Sequence, residues 1–211
     1  MSFVPGQQRR MNRVASREPA DIRRQSLIDA AADCLAERGP SGTSVRTICA
    51  KAGVSPGLLR HYFDGIDALI AETYRGVVAR VSATLDAAAA QAGDDPRARL
   101  VAFVTASFRP PIADPRLLAT WLAFWSLVKT DDAIAAIHSE TYGDYRRQLE
   151  GLLAGYGLSA AEAGPVAIAL TALVDGLWLE LSLDPSTFTA DQASLMVTRW
   201  LDTLLERPLF A

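Results

Sequence analysis

A chain of 211 residues, 50% of them hydrophobic, can bury a substantial core, either as one large domain or as a small domain joined to a larger one. Its formal charge of −3 conceals an asymmetry: up to Gly65 there are ten Lys and Arg against six Asp and Glu, and beyond it eleven against eighteen, so the acidic total does not exclude a phosphate-facing end. Export and membrane anchoring are not expected, because Arg9, Arg10, Arg13 and Arg17 interrupt any apolar leader and the apolar run 166–174 is followed by Asp175 and Glu180, leaving no 18-residue span.

Residues 1–20 read as a polar, arginine-rich tail. A first helix is expected from about Asp21 to Arg38, packing through Ile22, Leu27, Ile28, Ala31 and Leu35 and stopped by Gly39-Pro40. Thr43 or Ser44 caps a second helix, in which Val45, Ile48 and Cys49 fall at i, i+3 and i+4. Gly53 breaks that helix, Ser55 caps the next, and Pro56 takes the first helical position, where a missing N–H costs nothing. Leu58, Leu59 and Phe63 give the third segment, about Pro56–His61, an apolar side that packs back on the second. Two short helices joined by a turn of about three residues form a helix-turn-helix, which presents its second helix to the major groove of DNA. Cys34 and Cys49 lie on apolar helical faces without CxxC or metal-ligand spacing, as expected for buried thiols of an intracellular protein.

Asp64-Gly65 separates this unit from a fourth helix, expected from near Asp67 to about Gln91, which begins beside the helix-turn-helix and runs far past it as a hinge. Asp94-Asp95-Pro96 starts a helix reaching about Ser107, Pro110-Pro111 ends it, and Asp114-Pro115 starts another through Trp121, Phe124 and Trp125. Residues 131–155 read as a long amphipathic helix. Ser159-x-x-Glu162 is a capping box for a helix to about Leu183, and Thr189-x-x-Gln192 opens the last one, followed by Leu195, Met196, Trp200 and Leu204. The predicted fold is all-α, with about nine helices arranged as a basic tail (1–20), a helix-turn-helix domain (21–66) and a helical body (67–211).

Gly53-Val54-Ser55-x-Gly57, followed by His61-Tyr62-Phe63, resembles the DNA-binding signature of the TetR family of one-component repressors, and residues 24–70 match the family's N-terminal pattern over nearly their whole length. The resemblance implies a cytoplasmic, homodimeric repressor that binds a palindromic operator in double-stranded DNA, responds to a small-molecule effector and requires no cofactor or metal. It also implies dimerisation through the last two helices, with Leu170, Leu173, Leu177 and Leu181 meeting Leu195, Trp200, Leu201 and Leu204 in a four-helix bundle. The third helix then enters the major groove, with Arg60 and His61 at base edges or neighbouring phosphates. Arg46, Thr47 and Lys51 face the DNA backbone, Ser55 both caps its helix and contacts phosphate, and Tyr62 occupies a family position that packs and bonds to phosphate; Phe63 is assigned to the core. The family's usual phosphate-binding lysine is replaced by Ile66, which weakens that contact. The tail is then either a compensating arm on DNA or an ordinary solubilising terminus.

Trp121, Phe124, Trp125, Tyr142, Tyr145 and Trp178 concentrate large rings on helices that face one another, as core or as the wall of a cavity. Trp121-Leu-Ala-Phe-Trp125 resembles the corresponding segment of the family's choline-responsive repressors of betaine synthesis, which implies a cationic effector held by cation–π attraction, with charge from Asp175 or Glu180. No glycine-rich phosphate loop, HExxH or nucleophile elbow is present, and the two histidines, His61 and His138, fall in separate parts of the chain, so no enzyme is expected. Glu140 and Asp144 beside His138 read as an exposed charged face rather than a metal site. The competing reading is a helical protein-interaction module whose basic end binds a protein partner.

Overall fold

The computed structural model describes residues 20–206, which form nine helices and no strand; the rest of the predicted tail lies outside the described residues. In chain order these are α1 (Ala20–Gly42), α2 (Val45–Ala52), α3 (Pro56–Tyr62), α4 (Gly65–Gln91), α5 (Pro96–Ala106), α6 (Pro115–Leu127), α7 (Asp132–Tyr156), α8 (Ala160–Leu183) and α9 (Ala190–Glu206). Side chains set most of the starts by accepting from N–H groups of the first turn that have no partner within the helix. Ser44 and Thr47 form a reciprocal box at α2. Asp95 accepts from Ala98 N at 2.7 Å, Asp114 from Arg116 N and Leu117 N at 2.9 and 3.1 Å, and Asp131 from Ala133 N and Ile134 N at 2.9 and 3.0 Å. Glu162 and Gln192 reach back to the N–H groups of Ser159 and Thr189 at 2.9 and 2.8 Å. Thr43 is not the α2 cap; its hydroxyl donates to Gly39 O at 2.8 Å. The path of α1 breaks at Gly39, with φ 64° and ψ −178°, and resumes for one turn to Gly42.

Two clusters of buried side chains organise these helices. The smaller joins α1, α2, α3 and the start of α4 through Leu27, Ile28, Cys34, Ile48, Cys49, Leu59, Phe63 and Leu69. Both cysteines are buried free thiols, and burial pushes the Cys49 thiol up. The larger cluster fills the body between α4 and α9, and it also takes Leu35 from α1. At 1.5 Å per residue, the 27 residues of α4 span about 40 Å, which lets Leu69 belong to the small cluster while Tyr74, Val77, Leu85 and Ala89 belong to the large one. A second connection runs from α6 to α1: Arg116 bonds Asp33 at 2.7 Å and Glu37 at 3.2 Å, and the Thr120 hydroxyl lies 3.4 Å from Ala32 O.

Two expectations need correction. With a mean hydropathy of 1.7, α8 is long and apolar enough by composition to cross a membrane, because Asp175 and Glu180 do not lower its average enough. Here it packs Val166, Ala167, Leu170, Val174 and Trp178 into the body. Among the leucines drawn as a dimer surface, Leu170, Leu201 and Leu204 are instead buried in the protein's own core. Among the described residues, the large apolar side chains that α8 and α9 leave exposed are Ile168, Leu179, Leu183, Leu195 and Met196.

Candidate nucleic-acid interface and effector cavity

The turn between α2 and α3 is built by Gly53, whose φ of 65° is the left-handed conformation that side chains resist. Val54 N donates to Cys49 O at 3.0 Å to close it, and the Ser55 hydroxyl accepts from Leu58 N at 3.3 Å to start α3. Burying Leu59 completely then fixes the rotation of α3, so that Arg60 and His61 project from the surface while Tyr62 is half-buried and packs edge-on to His61 at 5.0 Å. Arg46 is also exposed. Thr47 and Lys51 are more committed than the sequence reading had them. The Thr47 hydroxyl accepts from Ser44 N at 2.9 Å and donates to Ser44 O at 3.0 Å. The Lys51 ammonium lies 2.6 Å from Glu37 and 3.6 Å from Asp33, pairing that lowers the Glu37 carboxyl and raises the lysine. Glu37 is therefore shared between Lys51 of α2 and Arg116 of α6. Ile66 packs against the small cluster, and Arg24 lies over the Phe63 ring at 5.2 Å and bonds Glu72 at 2.7 Å.

In the body, α4, α6, α7 and α8 surround a cavity of about 80 Å³. Of the six side chains drawn toward an effector, Trp121, Trp125, Tyr142, Asp175 and Trp178 line it. Phe124 does not: it is fully buried behind the wall, stacked on Tyr74 at 4.3 Å with the planes 10° apart. One residue along a helix is a turn of about 100°, enough to send Phe124 into packing and Trp125 to the cavity. Trp121 sits 6.3 Å from Trp125 and 6.4 Å from Trp178, centroid to centroid. The Trp125 indole donates to the Tyr142 hydroxyl at 3.0 Å, and the Trp178 indole donates to Ser107 O at 3.0 Å. Tyr145 lines the cavity one helical turn beyond Tyr142, a position its i, i+3 spacing made findable. Val78, Val81, Leu85 and Ser107 also line it, and nothing in their own sequence marks them.

Asp175 is the cavity's carboxyl, and burial pushes it up to about 6 against the downward pull of a hydrogen bond from Tyr142 and of Arg146. The phenols of Tyr142 and Tyr145 are pushed up by burial and by the Asp175 charge. Trp125, Tyr142 and Asp175 also face a second, open groove of about 370 Å³ that contains Lys129, His138 and Leu179, so these three side chains partition the cavity from the surface. His138 makes a 3.0 Å hydrogen bond with the Tyr74 hydroxyl and packs on Tyr142, and burial lowers its basicity. Glu140 and Asp144 lie exposed on α7, the latter paired with Arg147.

Comparison with known proteins agrees at both ends of the chain. The family description "BetI-type transcriptional repressor, C-terminal" matches residues 96–206, and "Bacterial regulatory proteins, tetR family" matches residues 27–73. The HTH-type transcriptional regulator BetI of Burkholderia thailandensis is 36% identical over 188 residues, covering 88% of this chain and 94% of that protein. BetI of Vibrio parahaemolyticus is 31% identical over 190 residues, covering 88% and 93%. A proposed transcriptional regulator from Pseudomonas aeruginosa PAO1 superposes with a TM-score of 0.83 at 45% identity, over 90% of this chain and 94% of that one. One from Saccharomonospora viridis, in complex with choline, shares the fold with a TM-score of 0.76 at 19% identity, over 86% and 96% of the two chains. These matches decide against a protein-interaction module, and the chain belongs to the TetR family of transcriptional regulators: a ligand-responsive, dimeric DNA-binding repressor with a BetI-type C-terminal region.

Proposed function

We propose that residues 21–66 read a palindromic operator and that residues 67–211 dimerise and sense a compact cation between α6, α7 and α8. In this reading Arg60 and His61 contact bases, while Arg46, Thr47, Lys51, Ser55 and Tyr62 contact phosphates. Thr47 does so while holding the α2 cap, and Lys51 by leaving or sharing Glu37. Dimerisation covers the apolar face left by α8 and α9, since five large exposed apolar side chains on two adjacent helices are a patch that a second copy buries. The same burial accounts for the membrane-like composition of α8 and suits a protein that acts in the cytoplasm, where its operator lies.

The observation that carries the effector reading is the convergence of three indole rings with the half-buried Asp175 carboxyl on one small cavity. Indole faces attract a cation by their quadrupole, most strongly where water is excluded, and a carboxylate adds net charge. A volume of about 80 Å³ is below the ~150 Å³ that holds benzene, which favours a compact ligand and requires the Trp125–Tyr142 partition to adjust. Choline is the first ligand to test, on the resemblance of the Trp121–Trp125 segment and the BetI-type relatives. Titration should change tryptophan fluorescence and operator affinity over the same concentration range. A fluorescence change without any change in operator affinity would separate binding from regulation and refute the reading.

A further inference from the structure

Tyr74 is fully buried in the body, and only five residues, about 7.5 Å along α4, separate it from Leu69 of the small cluster. Its ring lies flat on Phe124 at 4.3 Å and meets Trp121 edge-on at 5.5 Å. Aromatic pairs tolerate a range of offsets, so these contacts do not fix where the ring sits in its own plane. A hydrogen bond is directional, and the 3.0 Å bond between the Tyr74 hydroxyl and His138 Nδ1 does fix it. The Thr141 hydroxyl also bears on this phenol, but it already donates to Ile137 O at 2.8 Å, which leaves the imidazole as the orienting partner. Burial lowers the basicity of His138 and so keeps a neutral ring, with one nitrogen to donate and one to accept. The imidazole is held in turn by the cavity's outer wall. It packs on Tyr142, one turn along α7, at 4.1 Å, and Tyr142 accepts the Trp125 indole N–H at 3.0 Å. Among the described residues, Trp121 Nε1 and Tyr145 Oη have no hydrogen-bond partner, so neither passes a displacement on through a polar bond.

We propose that the Tyr74–His138 hydrogen bond is a latch that holds α4 against α7 in the operator-binding state, with His138 a positioning residue for DNA binding and not a ligand group. A molecule that parts Trp125 from Tyr142 moves the Tyr142 ring, the imidazole packed on it follows, and Tyr74 loses its directional bond. The ring is then free to slide on Phe124, and Leu69 carries the shift of α4 into the cluster that sets the angle of α2 and α3. Only the release step rests on the effector reading. The latch itself acts in the ligand-free protein, so the two fail separately.

Operator affinity of the full chain, measured without ligand and with choline as the probe, tests this. Tyr74→Phe keeps the stacked ring and removes only the hydroxyl, and neither Tyr74 nor His138 lines the cavity. Tyr74→Phe should weaken ligand-free operator binding about three- to tenfold, the worth of one neutral hydrogen bond, and leave choline affinity within about twofold. It should also shrink the further loss that choline causes by the same factor. His138→Leu should act alike, and the two substitutions together should cost no more than either alone. His138→Asn, whose amide reaches the position of Nδ1, should keep both the ligand-free affinity and the choline response. A merely structural role would lower the unfolding temperature without touching that response and without rescue by Asn. Unchanged ligand-free operator affinity in Tyr74→Phe would overturn the latch, as would additive losses in the double variant or a His138→Asn protein as weak as His138→Leu. No effect of choline on the unsubstituted protein would overturn the effector reading, while the ligand-free series still decides the latch.

Discussion

Around Leu27, Ile48, Leu59 and Leu69 the small N-terminal cluster closes on carbon and sulfur, whereas around Trp121, Val174 and Trp178 the body's core closes on a carboxyl, an indole N–H and a phenol. The difference follows from what each region has to hold. With 8 and 7 residues, α2 and α3 are too short to persist alone, so their relative angle comes entirely from packing. Any void there would loosen the surface that meets DNA. The body has long helices and a large cluster to stabilise it, and it can leave space and unmatched polar atoms at one point in its core.

The widest test of this contrast sits on two adjacent residues of α6. Phe124→Ala removes a fully buried ring from solid packing and should cost about 3–5 kcal/mol. Trp125→Ala removes a larger ring that borders existing space, and should cost less than half as much while abolishing the effector response and sparing unliganded operator binding. Equal losses in urea unfolding would mean that the cavity side of α6 is core after all, and the contrast would fail.

At the other end, Arg60→Ala should leave stability unchanged, because the side chain is exposed and holds nothing in place. It should weaken operator binding by about 1–3 kcal/mol and binding to unrelated DNA by much less. Equal weakening on both DNAs, measured at one salt concentration, would move Arg60 from base edge to phosphate.

The half-buried carboxyl of Asp175 predicts a pH dependence that the small cluster cannot show. Asp175 titrates near 6, above the usual carboxyl range, so it is ionised at pH 7 and mostly protonated at pH 5. Affinity for a cation should therefore fall about tenfold between those values. Stability moves the other way: the folded form holds this proton up to about pH 6 while the unfolded chain releases it near 4, so the contribution is favourable below 4 and is lost as pH rises to 6. Tyr142, Tyr145 and Arg146 of α7, Tyr74 of α4, and His138 and Lys129 on the groove side all bear on this carboxyl or its surroundings, and only His138 titrates nearby, with its basicity lowered. Asp175→Asn should flatten the affinity profile, and a profile that persists in this variant would assign it to His138.

What was legible in the sequence was local chemistry. Ser44, Ser55, Asp114 and the Ser159 and Thr189 boxes marked helix starts because a capping side chain acts within three residues. The start of α4 was misplaced toward Asp67 because Asp64 makes no side-chain bond to announce it. Five of the residues expected to hold an effector line the cavity and were legible as rings and charges on facing helices, but the rotation that parts Phe124 from Trp125 is decided by Tyr74, fifty residues earlier. The partners of Thr47 and Lys51, the role of Ser107 O and the burial of Leu170 likewise depend on chain segments brought together only by folding.

The smallest expected effect tests how the two regions communicate. α4 was the only connection the sequence offered, yet Arg116 opens the same helix that carries Trp121 and Trp125 and ties it to Asp33 and Glu37 on α1, with Glu37 holding Lys51 on α2. A ligand that shifts α6 would disturb this shared pairing and with it the α1–α2 corner of the DNA-reading unit. Exposed pairs of this kind are weak and screened by salt, so they bias an equilibrium without holding the fold together. Arg116→Ala should leave ligand affinity unchanged and reduce the ratio of operator affinities with and without ligand by about two- to fivefold, and raising the salt concentration should reduce the same ratio in the unsubstituted protein. An unaltered ratio in Arg116→Ala would return the coupling to α4 alone. In that case the ligand acts by tilting one long helix that both clusters already share through Leu69 and Tyr74.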